Sequence, residues 1–142
     1  MRYYIAYKFL DSDKEILKKR LGIISDMIEE TGNTAFIFYR DTQNRGAIST
    51  PTDQIIRQAF IEVKKSDIIV AFIESGEKSE GMLLEVGYAK ALGKKLVLLI
   101  RKWIDLRFLR ALADEIIEFD TIEDMEIKKQ LQFVITHQLI KY

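Results

Sequence analysis

Apolar residues fall along this chain in two alternating kinds of run. Short, nearly continuous runs occupy residues 3–7, 35–39, 67–72, 96–100 and 116–119. They are rich in β-branched and aromatic side chains and bounded by charge, which predicts buried strands. Between them apolar residues recur every three or four positions, as in Leu17, Leu21, Ile24 and Ile28, or Ile55, Ile56, Phe60 and Val63. That spacing predicts helices, with further ones over 79–92, 106–113 and from 121–124 onward through Ile127, Leu131, Val134 and Ile135. The punctuation agrees. Ser12 three residues before Glu15 predicts a capping box, and Thr31-Gly32-Asn33 a helix stop. Thr50-Pro51-Thr52-Asp53 predicts a helix start with Thr50 as cap and Pro51 in the first helical position.

Strands alternating with helices imply a parallel sheet with right-handed crossovers. The expected fold class is α/β, a doubly wound, five-stranded parallel sheet of flavodoxin or Rossmann-like type, with residues 1–142 forming one domain. Ligands of such sheets bind beyond the carboxyl ends of the strands, near the switch in strand order. The loops after Tyr7, Tyr39 and Phe72 are therefore the expected walls of a site. The stretch 40–49, with Asp41 and Arg45, is the longest of the three.

Composition narrows the chemistry. The 142 residues carry 22 Lys plus Arg and 22 Asp plus Glu, and this balance argues against binding a nucleic-acid polymer. Cysteine is absent, which removes disulfides, thiolate nucleophiles and thiolate metal sites. His137 is the only histidine, so no histidine cluster holds a metal. No apolar run is long enough to span a bilayer, and the N-terminal stretch turns acidic too soon for a signal peptide, so a cytoplasmic location is expected.

The informative segment is SDIIVAFIESGEKSEGMLLEVGYAKALGKKLVLLI, residues 66–100. It reads as strand, polar loop, helix, strand. Ser79 stands at a helix start, where free N–H groups and the helix dipole favour an anion. Gly81 lets a ligand approach the backbone, and Glu85 follows within two turns. Gly87 costs a helix about 1 kcal/mol against alanine, which implies close packing. Taken singly, each residue also has an ordinary explanation. Glu85 is then a solvated helix glutamate, Ser79 a plain cap, Tyr4 a core tyrosine, His137 a surface residue, and Lys64-Lys65 and Lys94-Lys95 solvated charges.

The pattern SD-apolar-apolar-apolar-A, followed by S-x-G-x-x-x-E-x-G-Y-A, resembles the nucleoside 2-deoxyribosyltransferase family, whose relatives include the 2′-deoxynucleoside 5′-monophosphate N-glycosidases. The resemblance implies cleavage or transfer at the N-glycosidic bond of a 2′-deoxynucleoside or its 5′-monophosphate, with Glu85 as nucleophile. It implies that Ser79, where the transferases tend to carry aspartate, faces a 5′-phosphate, and that Tyr4 sits near the nucleophile. Ala6 and Tyr7, followed by Lys8 and Phe9, stand where the glycosidases have a small, glycine-rich phosphate loop. With Gly81 they complete the substrate-binding set. No metal or organic cofactor is implied. The partners expected are a small nucleoside or nucleotide and further copies of the chain; the apolar end of the last helix, at Leu139, Ile140 and Tyr142, also suggests a homo-oligomer.

Three departures stand beside this pattern. Ala59 occupies the place of a second acidic residue, with Glu62 one turn on. The loop after the first strand is bulky. The tail offers no asparagine, since only Asn33 and Asn44 are present. A non-catalytic nucleotide-binding or sensing module on the same fold is the alternative. A receiver-type domain fits less well, because the third strand ends in Phe72-Ile73-Glu74 without the acidic cluster such domains use.

Overall fold

The computed structural model describes residues 1–10, 12–43 and 49–140, the last three of these by backbone alone. Five strands alternate with helices: β1 (Arg2–Tyr7), α1 (Lys14–Glu29), β2 (Thr34–Phe36), α2 (Phe38–Asp41), α3 (Thr52–Lys65), β3 (Ile68–Ile73), α4 (Glu80–Ala91), β4 (Lys95–Arg101), α5 (Arg107–Leu112), β5 (Glu115–Phe119) and α6 (Met125–Ile140). Every pairing is parallel, in the order β2-β1-β3-β4-β5. The doubly wound, flavodoxin-like sheet expected from the sequence is the sheet observed. Strand order reverses between β1 and β3, where Tyr4 pairs with Ile69 and Ala6 with Ala71.

The sheet is buried on both faces. One face packs against α1 and α6, through Leu21, Ile24, Leu131 and Ile135. The other packs against α3, α4 and α5, through Ala59, Val63, Val86 and Leu109. This explains the unbroken apolar runs of β3 and β4: a central parallel strand has no solvent side on which to place polar residues. The edge strand β5 alternates instead, with Ile117 and Phe119 buried and Ile116 and Glu118 exposed. No helix among the described residues is long and apolar enough to cross a membrane.

Three local expectations are corrected. Asp13, not Ser12, caps α1: its carboxylate accepts from the Ile16 N–H at 3.2 Å, while the Ser12 hydroxyl donates to the Lys8 carbonyl at 2.8 Å. The helix α3 begins one residue late, with Pro51 in the cap position and Thr52 the first helical residue. The second strand ends at Phe36, and Phe38 and Tyr39 lie in the single turn α2. Asp41 drives that turn by reaching back to accept the Ile37 N–H at 2.9 Å. Arg40 then donates to the Ala35 carbonyl at 2.7 Å and to Ser25 at 2.8 Å, which closes the chain on α1.

Candidate functional site

The C-terminal end of β1 lies beneath the pair α3 and α4, beside the switch point. Along β1 the side chains alternate, so Tyr4 and Ala6 face the α3–α4 layer while Tyr3 and Ile5 face α1 and α6. Tyr4 is 1% exposed and stacks on Phe36, with ring centroids 5.4 Å apart. Arg2 lies over the other side of the cluster, 4.8 Å from the Phe36 centroid, and pairs with Glu62. The Tyr4 hydroxyl donates to the carboxylate of Glu85.

Glu85 reaches that point from α4. Ser79 caps the helix, its hydroxyl accepting from the Met82 N–H at 3.3 Å. Met82, Val86 and Ala89 form the buried row of the helix, and Glu85 lies on its flank. Gly81 is one turn earlier on the same flank. A β-carbon there would lie 3.9 Å from Glu85 Oε1, so glycine leaves that oxygen approachable from the helix start.

Burial is the largest influence on Glu85 and pushes its pKa from the ordinary 4.5 up to about 7; the Tyr4 hydroxyl acts in the opposite direction. Glu85 lies beyond the first turn, where the dipole acts, and desolvation dominates. Burial also raises Tyr4, and the neighbouring Glu85 charge raises it further. Tyr7 is raised for the same first reason, although the Tyr39 N–H, which donates to its hydroxyl oxygen at 3.0 Å, pulls it down.

Around this pair lies an aromatic rim. Phe9 stacks on Tyr39 with centroids 5.9 Å apart and meets the edge of Tyr7 at 6.4 Å. Lys14 and Lys18 cap the Phe9 and Tyr39 rings at 4.0 and 4.8 Å. Next to it, a cleft of about 290 Å³ opens between the loops after β1 and β3, lined by Lys8, Ser12, Glu74, Glu77 and Met82 among others. The two loops are tied across it by an ion pair, Lys8 Nζ to Glu77 Oε2 at 2.5 Å.

The structure thus brings Tyr4, Tyr7, Gly81 and Glu85 to one place. Ala6 lies 1% exposed beneath it as floor. Ser79 and Glu85 do not line the cleft, which differs from the single pocket expected from the sequence. The third expected wall includes residues 44–48, with Arg45, and lies outside the described residues. Ala59 is buried in the apolar layer that α3 packs against the sheet, and Glu62, one turn on, is engaged by Arg2 and Lys65. The Lys8–Glu77 tie and the Tyr7–Tyr39 hydrogen bond were not foreseen. Opposite charges in loops that leave adjacent parallel strands are the signal for the first; the second has none.

The nucleoside 2-deoxyribosyltransferase family model matches residues 6–131, which include Tyr7, Ser79, Gly81 and Glu85. The chain belongs to that family. Its nucleoside 2-deoxyribosyltransferase fold is shared with a CMP N-glycosidase, BcmB, from Clostridium botulinum (TM-score 0.68, 24% identity, 94% of this chain and 99% of that one). A 2-deoxyribosyltransferase from Bacillus psychrosaccharolyticus is similar over 89% of this chain and 90% of that one (TM-score 0.64, 18% identity). A flavodoxin-like domain from Synechococcus superposes over 99% of both chains (TM-score 0.53, 12% identity). At these identities the likeness establishes the fold. No curated protein matches the sequence.

Proposed function

We propose that this protein cleaves or transfers at the N-glycosidic bond of a nucleoside 5′-monophosphate or nucleoside, with Glu85 as nucleophile. The observation that carries the reading is a half-buried carboxylate at the switch point of a doubly wound sheet, hydrogen-bonded by Tyr4 and left open beside Gly81. In the first step a carboxylate oxygen bonds to the anomeric carbon and the bond to the base breaks. The base leaves with the electron pair and takes up a proton. In the second step water, or a second base, displaces the carboxylate from the sugar. Tyr4 holds the attacking group in place and lowers the cost of its charge.

Ser79 supports a monophosphate as substrate, because a hydroxyl at a helix start suits an anion better than an aspartate does. A relative named as a CMP N-glycosidase points the same way. Deoxyribose is the sugar that the family description suggests. No metal or organic cofactor takes part in these steps.

The test is incubation with a panel of nucleosides and nucleotides, ribo and deoxy, followed by chromatography for free base. Wild type releases base and Glu85→Gln does not, while still binding the nucleotide. A second reading, a non-catalytic nucleotide sensor, is favoured by Ala59 alone. It predicts that wild type binds a nucleotide and releases no base.

A further inference from the structure

The cleft between the loops after β1 and β3 holds charges that the steps at Glu85 do not use. Lys8, Glu74 and Glu77 line it, so two carboxylates stand beside one ammonium. Glu74 is taken by arginines: Arg20 pairs with it, and Arg101 stands at 3.8 Å. Glu77 is the carboxylate on Lys8. The two partners differ in burial. The Lys8 side chain is 19% exposed and that of Glu77 74%. They also differ in how firmly they are held. Lys8 directly follows β1, and its carbonyl accepts from the Ser12 hydroxyl at 2.8 Å. The Glu77 N–H donates to the Ser75 hydroxyl at 3.4 Å, and Gly76 between them has open space around it.

These differences decide how the pair opens. A carboxylate already mostly in water loses little by leaving, since ion pairs of this kind contribute little to stability. A lysine mostly out of water needs an anion wherever Glu77 goes, because a desolvated charge without a partner is costly. The pair therefore opens by exchange for another anion. A phosphate monoester brings about −1.5 to −2 charges at neutral pH and three acceptor oxygens, against the single charge of Glu77. We infer that Glu77 is a tethered competitor for the phosphate of a ligand: its carboxylate occupies Lys8, a phosphate monoester enters the cleft by displacing it, and an uncharged nucleoside has nothing to exchange. Glu77 thus sets the selection of phosphorylated over unphosphorylated ligands. The place is suitable. Met82 lines the cleft, and its N–H donates to the Ser79 hydroxyl, so a phosphate on Lys8 lies toward the cap of α4. A volume of about 290 Å³ is at the low end of ligand pockets and suits the phosphorylated end of a nucleotide. The inference rests on the proposed reading of the site as one for nucleotides.

Titration calorimetry with cytidine 5′-monophosphate, cytidine and inorganic phosphate tests it. The nucleotide titrations use the Glu85→Gln background, so that nothing is consumed, and the inorganic phosphate titrations use wild type as parent. Glu77→Gln should tighten the monophosphate and inorganic phosphate by about two- to fivefold and leave cytidine unchanged. Lys8→Met should weaken the monophosphate by about tenfold, and adding Glu77→Gln to it should then change nothing. Glu80→Gln removes the same charge from an exposed position three residues on, and should leave all three ligands as they were. Unchanged binding of both phosphates in Glu77→Gln, an equal gain for cytidine, an equal gain in Glu80→Gln, or a gain that survives Lys8→Met overturns the inference. Binding is the readout, so a protein that releases no base still gives the answer. Inorganic phosphate gives it without a base or a sugar.

Discussion

Replacing Glu85 by glutamine should make the protein more stable at alkaline pH and leave it unchanged in acid. In the folded chain burial holds the Glu85 proton until about pH 7, whereas in the unfolded chain it leaves near the ordinary 4.5. Between those values the unfolded state binds fewer protons than the folded one, so stability falls as pH rises. The loss is complete above the folded value. A shift of this size corresponds to about 3 kcal/mol. Glutamine matches the shape, still accepts from Tyr4, and has no charge to desolvate. The difference in unfolding free energy between variant and wild type should therefore be near zero at pH 4, grow through pH 5 and 6, and level off at about 3 kcal/mol by pH 8. Urea unfolding followed by circular dichroism at each pH measures it, and every other titrating group cancels in the difference. A difference that does not change with pH would mean that the Glu85 carboxyl is not desolvated, and the account of the site would fail.

Tyr4→Phe removes the one group that lowers the pKa of Glu85, and a hydrogen bond to a charged group contributes about 1.5–3 kcal/mol. The acid limb of the pH–rate profile for base release should move up by about one unit; an unmoved limb would show that Tyr4 does not act on the reacting carboxylate. Ser79→Ala removes the cap of α4 and should cost about 1 kcal/mol in denaturant unfolding. Titration calorimetry should show it weakening a 5′-monophosphate more than the matching nucleoside, and equal weakening would remove Ser79 from phosphate recognition.

The sheet was readable because a strand buried on both faces has no choice of residue. The runs at β3 and β4 are apolar without interruption, and their neighbours in the sheet follow from alternation with helices. The run 35–39 was read too long because apolar residues packed from both sides look alike in a strand and in a single helical turn. What ends β2 is polar: Asp41 returning to the Ile37 N–H and Arg40 reaching Ala35 and Ser25. Ser12 and Asp13 are both good capping residues, and the hydrogen bond from the Ser12 hydroxyl to the Lys8 carbonyl leaves the cap to Asp13. The site was legible only in part. Glu85 and Tyr4 stand far apart in sequence, and no local pattern joins them; only the family pattern placed them together. The raised pKa of Glu85 has no counterpart in the sequence, because the helix start is visible there and the depth of burial is not.

The absence of an acid at Ala59 bears on this balance between burial and charge. A second carboxylate close to Glu85 would oppose its ionisation, since like charges in one site raise each other's pKa. Burial, even with the Tyr4 hydrogen bond acting against it, already takes Glu85 to about 7. A further like charge would leave it mostly protonated, and so without a nucleophilic oxygen, at neutral pH. Here α3 turns an alanine, 3% exposed, into the apolar layer, and the acid one turn on is held by Arg2 and Lys65. Glu85 is thus relieved of one repulsion, while a phosphate near Ser79 would restore part of it. Ala59 therefore weighs less against catalysis than it first suggests. It removes a charge that would keep the nucleophile neutral.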